Sequence, residues 1–409
     1  MRISFYTLGC KLNQAETDEL KKDLLKKGFT ATDFLSDEDV AVIRACGVTC
    51  GASQTTREVI RRAKRQGSYV IATGCLENRD LKEIDFAATS SEEIVNHLES
   101  LTLKMEPELA CSVNEKMLNR TRALIKIQNG CNFQCSYCIV PSFRGKSTSV
   151  PTNEVIKKVK EAETQGFKEV VLTGVNICLY KDGKKGLAEL LETILAETNL
   201  PRIRLGSLDP RLITPKLLEL FSFDYQTADE YQKRLMPQWH LALQSGSNKI
   251  LEGMNRFYTA EKYLKIVEKI YSHNPLFSFT TDIIVGFPGE TAADFKATEE
   301  IIKKVKFSKV HVFPFSPRPE TIAASAKPMI QEKIRSERTK KLIQEVTKLK
   351  KEYQNKFLGQ TRGVLFENKN PRTGLYEGYT PEYLKIKKSS RVNLTNKIVS
   401  LKLNKSLFV

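Results

Sequence analysis

Three cysteines fall within one short run, Cys131, Cys135 and Cys138, spaced C-x3-C-x2-C. Thiolates are the usual ligands of iron–sulfur clusters, and three is one short of a full set. The iron left without a protein ligand is then open to bind another molecule. A structural zinc site would bring two C-x2-C pairs or added histidines. No fourth Cys or His lies beside this run in the sequence.

A second set of thiols is dispersed along the chain but regular with respect to the elements. Cys10 follows the apolar run Ile3–Leu8, Cys46 follows Val40–Ile43, and Cys75 follows Tyr69–Ala72. Helical patterns over Thr17–Lys27 and Gln54–Arg65 separate these runs. The βαβαβ alternation predicts an open parallel sheet of the flavodoxin-like or Rossmann-like kind. All strand C-termini of such a sheet share one edge, where ligands bind. Cys10, Cys46 and Cys75 should therefore converge as a second three-thiolate site. One cysteine at a strand end could be a small buried hydrophobe; three at equivalent ends fit that reading poorly. Cys50 reads as a spare thiol near this site, and Cys111 has no partner pattern.

From about residue 118 to 350 the chain repeats strand then helix. The strands are Ala123–Gln128, Glu169–Leu172, Ile203–Leu205, Trp239–Leu243, Thr280–Val285 and Val310–Phe313. Six such units predict a partial, TIM-like (β/α)6 barrel. The polar and glycine motifs that follow the strands would line its catalytic face. Tyr137 in the cysteine loop, with Gly174, Asn176, Asp209, Gln244, Ser245 and Gly286 at the strand ends, are the candidate cofactor-binding residues. No acid–base catalytic residue stands out. A Lys/Glu-rich helix over Gln331–Lys356 leads to a last segment of different character. Short runs at Val364–Phe366, Tyr376–Thr380, Tyr383–Ile386, Val392–Leu394 and Lys397–Leu403 predict a small antiparallel β-barrel. The expected α/β organisation is thus residues 1–115, 118–350 and 351–409.

The net charge is +17, which favours an anionic partner such as nucleic acid. From Lys351 to Val409 twelve Lys and Arg stand against four Asp and Glu, a net of +8. Tyr376, Tyr379 and Tyr383 lie among them, a mixture that suits stacking on looped RNA. The competing reading packs these tyrosines inside and uses lysines to blunt sheet edges. No apolar run is long enough to span a bilayer. The first residues lack a secretory pattern, and thiolate clusters need a reducing compartment, so a cytoplasmic location is expected.

All three segments together resemble the radical S-adenosylmethionine (SAM) methylthiotransferase family. The opening Thr7-Leu8-Gly9-Cys10-Lys11-Leu12-Asn13-Gln14-Ala15-Glu16-Thr17 is similar to its MtaB-type branch. Cys46, Thr73-Gly74-Cys75, the Cys131–Cys138 run with Pro141 and Arg144-Gly145, Leu243–Ser247, Ile284–Thr291 and His311–Ser316 match further family motifs. The last segment is similar to the TRAM domain. The resemblance implies two 4Fe–4S clusters, on Cys131/Cys135/Cys138 and on Cys10/Cys46/Cys75. It implies that SAM chelates the open iron of the first and is cleaved to a 5′-deoxyadenosyl radical. The product would be the 2-methylthio derivative of N6-threonylcarbamoyladenosine beside the tRNA anticodon. Arg144 and Arg318 are candidates to bind the threonyl carboxylate. A flavodoxin or ferredoxin would supply electrons, and the sulfur donor is unspecified. The family's usual context for the second cysteine is replaced by Arg44-Ala45-Cys46-Gly47-Val48-Thr49-Cys50, and Cys178 and Glu320 stand where it has glycine. Rival readings are methylthiolation of isopentenyladenosine in tRNA, methylthiolation of a ribosomal-protein aspartate, and a non-enzymatic iron–sulfur RNA-binding redox sensor.

Overall fold

The computed structural model describes residues 1–77, 81–102 and 121–409. The expected boundary near residues 115–118 and Cys111 lie outside the described residues.

The first segment runs β1 (Arg2–Thr7), α1 (Lys11–Lys26), β2 (Thr30–Thr32), β3 (Val40–Ala45), α2 (Cys50–Arg65), β4 (Tyr69–Gly74), β5 (Phe86–Ala87) and α3 (Ser91–Thr102). The strands form one parallel sheet in the order β2-β1-β3-β4-β5, the flavodoxin-like arrangement. β3 is buried along its whole length, as a central parallel strand must be. Leu20, Leu24, Ile94 and Leu98 pack one face of the sheet, and Ile60 and Ala63 the other. α1 begins at Lys11, not at Thr17. Its first turns bury Asn13 and Glu16, so polar residues occupy inward positions and hide the helical period. The Asn13 amide donates to the carbonyls of Leu8 and Ala45 at 2.7 and 2.9 Å.

The second segment runs β6 (Arg122–Lys126), β7 (Gln128–Asn129), α4 (Val140–Arg144), β8 (Thr148–Ser149), α5 (Thr152–Thr164), β9 (Glu169–Thr173), α6 (Leu187–Glu197), β10 (Arg202–Leu205), β11 (Ser207–Leu208), α7 (Pro215–Leu220), β12 (Gln238–Leu241), α8 (Asn248–Gly253), α9 (Ala260–Tyr271), β13 (Ser278–Val285), α10 (Ala292–Val305), β14 (Lys309–Pro314) and α11 (Glu332–Asn355). Parallel pairing links β6, β9 and β10, and then β11, β12, β13 and β14. β10 and β11 are one strand broken at Gly206, where a Cβ would meet the Leu172 carbonyl at 2.9 Å. The result is the expected partial six-stranded barrel. One continuous core, centred on Trp239, Tyr263, Phe277 and Phe279, lies between its strands and helices. β7 and β8 form a short antiparallel pair that pins the two ends of the cysteine loop.

The last segment holds β15 (Thr361–Lys369), β16 (Tyr376–Tyr379), β17 (Lys385–Lys388) and β18 (Ile398–Lys402), antiparallel in the order β17-β16-β15-β18. The tail beyond β18 returns to β17 through a bridge between Ile386 and Phe408. Val392–Leu394 is irregular and leads into a turn at Thr395 and Asn396; it is not a strand. Ser390 and Asn393 side chains hold nearby backbone groups, and Asn396 takes a left-handed φ of 58°, so local turn bonds replace sheet pairing.

This sheet closes the N-terminal end of the barrel. Arg202 donates to the carbonyls of Tyr379 and Gly363, and Arg204 to that of Pro381. The Tyr379 and Tyr383 rings stack at 4.5 Å, with the Arg204 guanidinium 4.5 Å from Tyr383 and the Arg122 guanidinium 4.7 Å from Tyr379. Tyr376 is buried in the sheet's own core. The tyrosines expected as a base-stacking platform are therefore internal packing, because a buried tyrosine next to guanidiniums gains more than an exposed one.

Candidate active site

Cys131, Cys135 and Cys138 lie in the loop between β7 and α4, all half-buried. The loop is folded by Cys131 N–H donating to the Gly145 carbonyl and Cys138 N–H to that of Cys135, both at 3.0 Å. The three thiols are close enough to feel one another's charge. Burial pushes the Cys138 thiol up to about 12 and raises Cys131. Two guanidiniums face Cys135: Arg256 Nη1 at 3.6 Å and Arg211 Nη2 at 3.8 Å from its sulfur. Asp209 gathers both, at 2.6 Å from Arg211 and 3.2 Å from Arg256. Burial opposes its charge, but these two cations hold its carboxyl below the usual range. Asn176 Nδ2 reaches the same carboxylate at 3.5 Å.

Cys10, Cys46 and Cys75 follow β1, β3 and β4 on the sheet's C-terminal edge. Cys46 senses Cys10, and Cys75 senses both. Gly9, at φ 91°, lets the chain turn against Cys46: a Cβ there would lie 2.9 Å from the Cys46 sulfur. Burial raises the Cys46 and Cys75 thiols, and Arg144 counters it. Arg144 Nε donates to the Cys75 sulfur at 3.2 Å, and its other nitrogens reach Glu16, Asn13 and Asn129. Thus the arginine that follows one thiol loop is fixed on the other triad.

Among the described residues no three His, Cys, Asp or Glu side chains converge tightly enough for one metal ion. By donor type, two all-sulfur triads fit iron–sulfur clusters.

The other residues named from sequence divide. Tyr137, Asn176 and Asp209 lie around the first triad, and burial raises the Tyr137 hydroxyl. A Cβ on Gly174 would meet the Gln128 carbonyl and side chain at 2.8 Å. Gln244 takes a φ of 66° and pairs through its backbone with Asp282 and Ile284 of β13. Ser245 is turned away from the mouth, towards Thr298 of α10. Gly286 provides room for Arg335 of α11, whose Cγ would lie 2.2 Å from a Cβ. Arg318 is already bound to Glu77 at 2.7 Å and to Ser53. Both arginines considered for a carboxylate are thus committed to the protein. Cys50 sits at the start of α2; the Ser316 hydroxyl at 3.0 Å, then Arg318, hold its thiol below the ordinary range. Arg211, Arg256, Asn13, Glu16 and Lys11 were not singled out from sequence. The last three lie in the Thr7–Thr17 run that carries the family resemblance, which is the signal that could have flagged them.

A Rossmann-like thiol domain on a partial barrel with a three-cysteine loop defines a radical SAM enzyme with an added thiol-bearing domain. Residues 125–302 match the Radical SAM superfamily, and residues 2–96 match Uncharacterized protein family UPF0004. The chain is 35% identical to the threonylcarbamoyladenosine tRNA methylthiotransferase MtaB of Aquifex aeolicus, over 93% of this chain and 97% of that one. It is 32% identical to the protein of the same name from Bacillus subtilis, over 99% and 94%. It is 30% identical to a tRNA-2-methylthio-N(6)-dimethylallyladenosine synthase of Ehrlichia ruminantium, over 91% and 88%. The radical SAM methyltransferase TsrM of Kitasatospora setae shares the fold, with a TM-score of 0.58 at 13% identity over 79% of this chain and 75% of that one. The chain belongs to the radical SAM methylthiotransferases, whose cofactors are SAM and two 4Fe–4S clusters. Among the described residues no helix is long and apolar enough to cross a membrane.

Proposed function

We propose that this chain converts N6-threonylcarbamoyladenosine beside the tRNA anticodon to its 2-methylthio derivative. The observation that carries the reading is the Arg144 bridge, which sets two thiol triads from separate domains against one another. The shared name of the relatives from Aquifex, Bacillus and other bacteria supports the substrate. Cys131, Cys135 and Cys138 would hold one cluster, and Cys10, Cys46 and Cys75 the other. When bound, the clusters and SAM supply radical hydrogen abstraction, sulfur and a methyl group.

The residues of the chain do the rest. Arg211 and Arg256 stand over the sulfur of Cys135, and Asp209 fixes both guanidiniums in place. Met254, Phe287 and Phe315 pack beside Tyr137 and exclude water from that side. Arg144 registers the two domains. The tRNA anticodon stem-loop is the partner, a flavodoxin or ferredoxin the reductant, and the cytoplasm the location in this reading.

Nucleoside mass spectrometry of tRNA from a strain lacking the protein tests it. The 2-methylthio form should vanish while N6-threonylcarbamoyladenosine remains. Loss of 2-methylthio-isopentenyladenosine instead would refute the substrate. In vitro, replacing Cys131, Cys135 and Cys138 by Ala should abolish 5′-deoxyadenosine. Replacing Cys10, Cys46 and Cys75 should keep 5′-deoxyadenosine and lose the product.

A further inference from the structure

Among the described residues the arginines of the barrel interior pair off with carboxylates or carbonyls, whereas Lys11 does not. Arg122 holds Glu367 at 2.7 Å and the Tyr383 hydroxyl at 2.8 Å. Arg204 holds Glu169 at 2.8 Å. Arg202 lies 3.8 Å from that same carboxylate and gives its protons to carbonyls. His240 stands 3.2 Å from Asp282, with Thr280 on its other ring nitrogen at 3.0 Å. Lys11 reaches this group from the other domain. Its ammonium lies 5.3 Å from the centre of the Tyr383 ring; Arg122, Arg204 and His311 oppose its charge, and Tyr383 and the more distant Glu169 favour it. Among the described residues no carboxylate lies within ion-pair distance of it.

A partly buried cation beside two guanidiniums is unfavourable without a counter-ion. The place is therefore built for an anion from outside. The floor beneath is closed by Tyr383 and the C-terminal sheet, so a phosphate within the RNA backbone could not follow. A short anionic substituent on a base could. Lys11 also directly follows Cys10, so its side chain starts beside the N-terminal triad.

We propose that Lys11 binds the carboxylate of the threonyl group, its ammonium donating to that carboxylate above the Tyr383 ring. The assignment rests on the function proposed above. It also explains selectivity, since an isopentenyl group in the same recess would leave Lys11 desolvated and uncompensated.

The test uses the full chain with both clusters and two anticodon stem-loop RNAs. One carries N6-threonylcarbamoyladenosine, and the other carries the same group with its carboxylate converted to a primary amide. Dissociation constants are measured at one fixed salt concentration. The wild-type protein should prefer the acid RNA by about 10- to 100-fold, the range of a charge-assisted hydrogen bond. Lys11→Met should bind both RNAs alike, at the wild-type level for the amide, with its iron content unchanged. Lys11→Arg should restore part of the preference. A Lys11→Met protein that kept the full preference would overturn the assignment. So would a wild-type protein with no preference, a comparison that needs no variant to fold. If the wild-type enzyme methylthiolates isopentenyladenosine RNA and neither of these RNAs, the function itself fails and Lys11 loses its role with it.

Discussion

Arg144 Nε lies 3.2 Å from the sulfur of Cys75, so a residue six positions beyond one thiol loop is a neighbour of the other triad. The same guanidinium binds Glu16 at 3.1 Å, and Arg44 binds that carboxylate from the opposite side at 2.9 Å. Both members of the Arg144–Glu16 pair are nearly buried, with side-chain exposures of 7% and 9%. The pair joins α4 of the barrel to α1 of the sheet domain.

Arg144→Met is expected to weaken that joint more than it weakens either domain. Removing one partner of a buried ion pair costs about 3–5 kcal/mol. Thermal unfolding followed by fluorescence should show a lowered first transition. The ratio of 5′-deoxyadenosine to methylthiolated product should rise several-fold, because the barrel triad keeps its own surroundings. Arg144→Lys keeps the charge but cannot reach Cys75, Asn13 and Glu16 together, so it should restore stability more than coupling. A variant with the wild-type product ratio would show that Arg144 does not register the domains.

Glu16 gives the joint a pH dependence of definite sign. Burial would raise its pKa, but Arg144 and Arg44 outweigh burial and hold it below the ordinary carboxylate value. A depressed folded pKa gives stability that is present above the unfolded pKa of about 4.3 and lost as pH falls through the folded value. Urea unfolding of wild type and Glu16→Gln should therefore differ most near neutrality and converge below about pH 4. A stability gap that stays constant down to pH 3 would contradict the assignment.

Much of this was legible in the sequence, for physical reasons. The thiol loop is local, so its spacing alone declares it. The second triad became visible because parallel strands must end on one edge, which ties Cys10, Cys46 and Cys75 together. The order of the six barrel strands followed from their repeated apolar runs. What escaped was set by contacts between segments. Asn13 and Glu16 look like loop residues until Arg144 and Ala45 are placed beside them. Arg211 and Arg256 meet at Asp209 only after the strands close. Tyr379 and Tyr383 carry the composition of an RNA platform, yet the charged floor of the barrel claims them.

That last point changes what a test of the C-terminal segment must be. Deleting residues 359–409 would strip Arg202 and Arg204 of their carbonyl partners, and the barrel would suffer. Charge substitutions are cleaner. Arg391, Lys397 and Lys402 are exposed, whereas Lys385 is held by Glu377 at 2.8 Å. Changing the first three to Gln should flatten the dependence of log Kd for tRNA on log salt, by about one unit for each phosphate no longer neutralised. Lys385→Gln should change that slope less. Filter binding over a series of salt concentrations measures both. An unchanged slope in the triple variant would remove this surface from the RNA-binding face.

Glu320 offers a test of backbone strain. It adopts a φ of 68°, the left-handed region, which costs a residue with a Cβ about 1–2 kcal/mol. The family resemblance places glycine at this position. Among the described residues Glu320 makes no ion pair that a substitution would break. Glu320→Gly should relieve the strain, offset by about 0.5–1 kcal/mol of added freedom in the unfolded chain. A net stabilisation of about 0.5–1 kcal/mol is expected, a rise in Tm of about 1–3 °C. Glu320→Ala removes the carboxylate but keeps the Cβ, so it should leave Tm unchanged. Equal gains from both substitutions would place the cost in the carboxylate's surroundings and not in the backbone.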